Sequence, residues 1–520
     1  MSNSETAAFR RLQARLATIW RAVESQKPFE HTSLVVPSLS FDPEELAKIT
    51  GVPFYEERLL FSLMRLRDPH ARCLYVTSQP VHPEIVDYYL QLLVGVPSRH
   101  AKSRLELLCT YDASPRPLTE KILERPRLVE RIRRFLGDPA QAYLTCFNAT
   151  ELERRLALTL NIPLNGVDPD LLWLGTKSGS RKVFAAAGVD HPPGFEDVSD
   201  ERQLVAALAA LAQRQPGIRK AVIKLDESFA GAGNALFRYP DPLPDDDGPR
   251  KTAIHAALAD LAFSADETSD AFLRKLRVMG GIVEAFVEAR EVRSPSVQMR
   301  ISPAGDVELV STHDQVLGGA TGQSYAGCRF PADPSYRRLI QDAAMKIGQV
   351  LRDHGVISRF AVDFLTLRDR PTDPWRVQAI EINLRMGGTT PPFLALQFLT
   401  GGRIDPQSGE LRTERGIPKF YYATDSLRSP AYRGLLPEDF IDILARYRVC
   451  FLPTTETGVL FHMIGALSEY GKVGVTCIGD SREEADELLR RTTAVLDRET
   501  GGGAPATISG MFELGHVQME

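Results

Sequence analysis

The spacing of hydrophobic positions changes several times along the chain, and those changes divide it. Over the first 150 residues, short β-rich apolar runs alternate with stretches whose apolar residues recur every three or four positions. LVVPSL (34–39), CLYVTS (73–78), LELLCTYD (105–112) and AYLTCFN (142–148) read as strands. EERLLFSLMRL (56–66) and PEIVDYYLQLL (83–93) read as helices, and Phe9, Leu12, Leu16 and Ile19 fall at the spacing of an amphipathic surface helix. Strands alternating with helices predict a parallel α/β layer over 1–150. Beyond residue 418, DFIDILARY (439–447) reads as a helix, KVGVTCIGD (472–480) as a strand and SREEADELLRRTTAVLD (481–497) as a helix. Ser481 followed by Glu484 predicts a capping box at that last helix. Between these ends, 151–400 forms a middle block, 401–418 a linker or long hairpin, 419–500 a small C-terminal α/β module, and 501–520 a Gly- and Ala-rich tail expected to be mobile. The acidic, Pro-rich stretch 239–250 reads as a surface loop.

Composition adds exclusions. A chain of 520 residues suits roughly three domains at about 150 residues each and needs neither disulfides nor metals to fold. Its net charge of -5 argues against a protein that coats nucleic acid. Six scattered cysteines, without a CxxC pair or zinc spacing, fit a reducing compartment. No apolar run approaches the ~18 residues of a membrane span, and no secretory leader is evident. A cytoplasmic protein without nucleic-acid or membrane partners is expected, with a homo-oligomer left open.

GxxxxGK[ST], HExxH and GxSxG are all missing, so the chemistry must lie in other constellations. In AVIKLDESFAGAGNALF (221–237) an apolar strand ends in Lys224 and a small-residue loop follows. Small residues let backbone N–H groups approach a polyphosphate, and the lysine supplies countercharge. Alone, the segment reads equally as a glycine-turn hairpin. In GGIVEAFVEAREV (280–292), Glu284 and Glu291 sit among apolar residues, where they could bind an adenine amino group and ribose hydroxyls; alone, an edge strand with solvated acids is the better reading. FAVDFL (360–365) places Asp363 inside an apolar strand, and RVQAIEINLRMGG (376–388) puts Glu381 and Asn383 on one face of another. Buried charge is costly unless paired or bound to metal. Two carboxylates and an amide oxygen at neighbouring strand ends make a hard-oxygen site suited to Mg²⁺ bridging phosphates.

In this order the elements resemble the ATP-grasp superfamily. TKSGSRKVFAAAGVDHPPG supplies its leading Lys177 with Gly188 and the pair Pro192-Pro193. Lys224 with Gly231 and Gly233 forms the strand lysine and lid loop (near 225–235); Glu284, Phe286, Val287 and Glu291 write the hinge; Asp363, Glu381 and Asn383 write the metal set. KLDESFAGAGNALF, STHDQVLGGATGQSYAGCRFPAD, EINLRMGGTTPPF and GVLFHMIGALSEYGKVGVTCIGDS look like the pheganomycin-type peptide ligases. The resemblance implies an ATP-grasp fold of two α+β lobes behind an N-terminal α/β domain. It implies an ATP-dependent carboxylate–amine ligase that makes an amide through an acyl phosphate, releasing ADP and phosphate, with small carboxylate and amine or peptide substrates. ATP would meet Lys177 and Lys224, with adenine held by Glu284 and the backbone of Ala285, Phe286 and Val287, and ribose by Glu291. Mg²⁺, two ions or Mn²⁺ instead, would sit on Asp363, Glu381 and Asn383. Arg385 and Gly387 are placed for the developing oxyanion, with Arg300 and Arg359 as further cations and His313 as candidate base. Arg359 stands four residues before Asp363, not the two of some ligases, so its role does not transfer directly. His462, in GVLFHMIGAL, reads as a core group or as part of a substrate pocket. An ATP-grasp phosphotransferase, a thiol ligase or a silent nucleotide-binding module are the competing readings.

Overall fold

The computed structural model describes residues 3–25, 27–41, 43–47, 49–227, 233–263, 267–318, 324–501 and 506–508. Among them the strands form three sheets. The N-terminal sheet is wholly parallel, ordered Leu105–Cys109, Ala71–Thr77, His31–Val36, Ala142–Cys146, Leu164–Asn165. The expected parallel layer is therefore present, and its strand order reverses between His31–Val36 and Ala142–Cys146.

A second, antiparallel sheet runs Gly194–Val198, Gly281–Ala285, Lys220–Leu225, Asn234–Arg238, Ala262–Phe263. Gly281–Ala285 is thus paired on both sides, which overturns the edge-strand reading and buries Glu284 at 4% exposure. The third sheet is antiparallel and larger. It holds Pro295–Ile301, Val307–Gly318, Ser358–Arg368 and Arg376–Asn383, and continues through Ser324–Phe330 into Pro418–Arg428 and Lys472–Gly479. The helix Pro334–Asp353 covers it. Asp333 caps that helix by accepting from Ser335 N–H at 2.9 Å, and the stripe Tyr336, Ile340, Ala344, Ile347, Leu351 meets the sheet.

The chain after residue 418 shares a sheet with the middle block, because Cys328, Arg329 and Phe330 pair with Ala423, Tyr422 and Tyr421. It also shares a core with the N-terminal residues: Leu59, Leu63 and Tyr89 lie in one buried cluster with Phe440, Phe461 and Val475. Residues 403–418 form a short antiparallel ladder, the hairpin alternative of the sequence reading. The 439–447 and 481–497 helices form as Pro437–Tyr447 and Arg482–Glu499. Ser481 accepts from Glu484 N–H at 3.1 Å, but the Glu484 carboxylate takes Asp480 N–H at 2.7 Å, so the capping box closes one residue early.

The segment 56–66 departs from an ordinary amphipathic helix. Val52–Arg67 is 3₁₀-helical and buried almost throughout, Glu56, Glu57 and Arg58 included. Residues three apart share a face of such a helix, which aligns Tyr55, Arg58 and Phe61.

Candidate active site

The helix Lys177–Ala186 is tied to both neighbouring sheets. Thr176 caps it, its hydroxyl accepting from Gly179 N–H at 3.0 Å. Asp226, two residues past Lys224, accepts from Ser178 N–H at 2.7 Å and from the Ser178 hydroxyl at 3.0 Å. On the other side Ser180 Oγ accepts from Ile382 N–H at 3.1 Å. Gly179 leaves no room for a side chain, since a Cβ would lie 1.8 Å from the Trp173 carbonyl oxygen. Lys177 therefore stands at the junction and pairs with Glu381. Lys224 pairs with Glu284, which also faces Arg181 Nη1 at 3.5 Å.

Asp363 and Glu381 are directly opposed in the antiparallel pair of Ser358–Arg368 and Arg376–Asn383, and Asn383 lies opposite Ala361. Asp363 accepts from Gln315 Nε2 at 2.8 Å and from Asn383 Nδ2 at 3.0 Å. Burial, and then the charge of Glu381, push the Asp363 carboxyl up to about 6. Burial acts on Glu381 in the same direction, but Lys177 and then Arg385 outweigh it and hold that carboxyl below its usual range. Burial also lowers the Arg385 guanidinium, with Glu381 and Asp363 opposing.

These groups border one cavity of about 290 Å³, lined by Lys177, Lys224, Asp363, Glu381, Asn383 and Arg385. The donor set fits Mg²⁺, which binds through one or two carboxylates and completes its shell with phosphate oxygens and water. Among the described residues no group of three or more His, Cys, Asp or Glu side chains makes a self-sufficient metal cage.

Other expected positions are placed differently. Gly387 lines the cavity, but its N–H donates to Thr390 Oγ1 at 3.0 Å, which removes it as an oxyanion donor in this state. Arg300 is away from the cavity, bound to Glu308 at 3.0 Å and stacked 4.5 Å from the Trp20 ring. Arg359, opposite Arg300 in the sheet, is also off the cavity; burial, with Arg300 and Arg65 nearby, lowers it to about 9. His313 is fully buried, its Nε2 2.6 Å from the Tyr421 hydroxyl, and burial lowers it to about 3. It is a neutral core group, not a base facing substrate. Glu291 is held by Arg368 at 2.5 Å and Arg293 at 2.9 Å, outside the cavity lining. Ala285 N–H donates to the Pro193 carbonyl at 2.8 Å and Phe286 N–H to that of Lys220 at 3.2 Å; Val287 follows half-buried. Gly233 closes the strand turn by accepting from Leu225 N–H at 2.9 Å, while Gly231 lies outside the described residues.

The cavity also has walls that the sequence reading missed. Tyr55, Arg58 and Phe147 come from the N-terminal layer, Asp425 and Ser426 from the strand Pro418–Arg428. Asn234, opposite Lys224 in the sheet, lines it with a buried Oδ1 that has no partner among the described residues. A sequence signal existed for Phe147, which follows the carboxyl end of a parallel strand beside the reversal of strand order, where ligands collect in such sheets. None existed for Arg58. His462 is buried against Asp425 at 2.7 Å.

Comparison with known proteins follows the same lines. Residues 171–239 and 254–407 match the family IQCH-like, ATP-grasp, and residues 439–492 match the PGM1 C-terminal domain. The chain is 33% identical over 479 residues to the L-propargylglycine--L-glutamate ligase of Streptantibioticus cattleyicolor, covering 89% of this chain and 94% of that protein. It is 25% identical over 441 residues to IQ motif-containing protein H of Danio rerio, covering 76% of this chain and 41% of that protein. Its fold is like that of the biotin carboxylase domain of Hydrogenobacter thermophilus 2-oxoglutarate carboxylase, solved with MgADP, ADP and bicarbonate. That match has a TM-score of 0.53 at 12% identity and covers 93% of this chain and 92% of the other. Among the described residues no helix is long and apolar enough to cross a membrane.

Proposed function

The chain belongs to the ATP-grasp superfamily and, within it, to the pheganomycin-type peptide ligases, and from that premise we infer an ATP-dependent, ADP-forming ligase that joins a carboxylate to an amine of amino acid or peptide type. The observation that carries the reading is the opposed pair Asp363 and Glu381, bordered by Lys177, Lys224 and Arg385 in one cavity.

In the proposed reaction a substrate carboxylate oxygen bonds to the γ-phosphorus of ATP as the bond to the β-phosphate oxygen breaks, giving an acyl phosphate and ADP. The amine nitrogen then bonds to the acyl carbon, phosphate leaves with the C–O bond electrons, and the nitrogen gives up a proton. Lys177 and Lys224 turn from Glu381 and Glu284 toward the phosphates. Glu284 and the 285–287 backbone hold the adenine, and Glu291, oriented by Arg368 and Arg293, holds the ribose. Asp363, Glu381 and the Asn383 oxygen would hold Mg²⁺, in our reading two ions, with Mn²⁺ able to replace them. Bound there, the metal neutralises phosphate charge during transfer. Arg385 is retained as the cation beside the acyl oxygen; Arg300, held by Glu308, His313, held by Tyr421, and Arg359, outside the cavity lining, are not given catalytic roles. The unpaired cysteines support a reducing, cytoplasmic setting.

The test is a screen of the purified protein with MgATP against pairs of L-amino acids and short peptides, reading ADP, phosphate and product mass. Amine-dependent release of ADP and phosphate with a product of summed mass less water is expected. A stable phosphorylated product, or ADP release indifferent to amine, would overturn the reading.

A further inference from the structure

The cavity is also lined by two charged residues that the phosphate chemistry does not use, Arg58 and Asp425. Arg385 has Glu381, Asp363 and Arg58 as charged neighbours. Arg58 is 2% exposed yet lines the cavity. Its guanidinium carbon lies 4.7 Å from the Phe147 ring centre and 5.2 Å from that of Tyr55. Its Nη1 is 3.4 Å from Asp425 Oδ2, and its buried Nε has no hydrogen-bond partner among the described residues.

Asp425 Oδ1 meets His462 Nε2 at 2.7 Å, and Lys472 Nζ donates to the Tyr55 hydroxyl at 2.8 Å. Burial would raise the Asp425 carboxyl, but Arg58 first, then His462 and Lys472, hold it at about 2. Asp425 is thus shared between Arg58 and His462 in a buried place. A buried guanidinium packed against two aromatic rings and lining a cavity is a site for a planar anion.

The reaction decides which anion. The acyl substrate's reacting carboxylate is consumed. A carboxylate on the amine substrate survives every step and needs a fixed cation throughout. We infer that Arg58, clamped by Asp425 between Tyr55 and Phe147, binds the unreacted carboxylate of the amine substrate, so that the enzyme selects an amino acid over a simple amine. The inference rests on the ligase reading.

The test uses hydroxylamine, a small amine without a carboxylate, which converts the acyl phosphate to a hydroxamate and phosphate. With the acyl substrate found in the screen, wild-type protein should take the amine substrate far better as the free acid than as its methyl ester or primary amide. R58M should raise KM for that amino acid by about 10- to 100-fold, the range of a lost charge-assisted hydrogen bond, while KM values for ATP and the acyl substrate and the hydroxylamine-dependent rate stay near wild type. R58K, which keeps the charge, should fall between. The ester and amide comparison needs no variant, so it stands even if R58M fails to fold. Equal use of acid, ester and amide, or a folded R58M that loses the hydroxylamine reaction as well, would overturn the assignment of Arg58 alone. No ADP release by wild type with hydroxylamine or with any amino acid would overturn the ligase reading and this inference with it.

Discussion

Asp363 and Glu381 face one another across an antiparallel strand pair, two like charges at a position where opposite charges would stabilise the sheet. Glu381 pairs with Lys177, whereas Asp363 accepts from the amides of Gln315 and Asn383 and has Arg385 as a charged neighbour. Such an arrangement is unfavourable for the sheet and favourable for a divalent cation, so the two carboxylates should respond oppositely to neutralisation.

Glu381→Gln removes the partner of the buried Lys177 as well as a metal ligand. Turnover with MgATP should fall by at least about 100-fold and return only in part with excess Mg²⁺. Without ligand the variant should melt lower, because Lys177 is left uncompensated. An unchanged turnover rate in the folded fraction would make Glu381 a structural residue.

Asp363→Asn relieves the repulsion while Glu381 stays in place as the charged neighbour of Lys177 and Arg385. Its turnover should fall as far, yet the ligand-free protein should melt about 1–3 °C higher than wild type. A scanning calorimetry trace showing Asp363→Asn below wild type would contradict the like-charge account.

Lys224→Ala should weaken MgATP at least about tenfold, read as a smaller thermal shift at fixed nucleotide. The fold should survive, because Arg181 remains 3.5 Å from Glu284. Wild-type turnover in this variant would reduce the segment after Lys224 to an ordinary hairpin.

Glu57 gives the pH dependence. Its carboxyl accepts from Gly465 N–H at 3.2 Å, and burial, with Glu56 adding, raises it from 4.5 to about 8. The folded state therefore prefers the protonated form. Its stabilising effect is complete below about pH 4.5 and is lost as pH rises through about 8, at up to about 1.4 kcal/mol per pH unit in between. From pH 6 to pH 8 wild-type stability should drop by about 2 kcal/mol more than that of Glu57→Gln, with Glu56 supplying a residual slope. Parallel pH profiles from denaturant melts of the two proteins would rule the assignment out.

Ending the chain after Gly416 should leave an insoluble protein or one without a cooperative melt. It strips the partner strand from Ser324–Phe330 and opens the core that holds Leu59, Leu63 and Tyr89. A soluble fragment with a sharp transition would show that 418–496 is an appendage.

Much of this was legible where the signal is local. The parallel N-terminal layer follows from its alternation of patterns, and the buried acids Asp363 and Glu381 stand out because apolar strands rarely carry them. The exact opposition of those two depends on a register that the bulge between Asp363 and Phe364 adjusts, and no local pattern states it. His313 looked like a cleft residue until the Tyr421 strand covered it. Arg58 was hidden for a related reason. It lies inside an apolar run whose period suggested an ordinary helix, and its meaning comes from Phe147 and Asp425, which are distant in sequence.

The joint core also sets an order of events during synthesis. The Tyr88 hydroxyl accepts from Phe461 N–H, a partner 373 residues downstream. At about 5–20 residues per second, about 20–75 s pass between the synthesis of Tyr88 and that of its partner. Until then the apolar face of the N-terminal layer is open to chaperones, and the cavity lacks the Asp425 wall. An incomplete chain therefore holds the ATP motifs without a finished chamber.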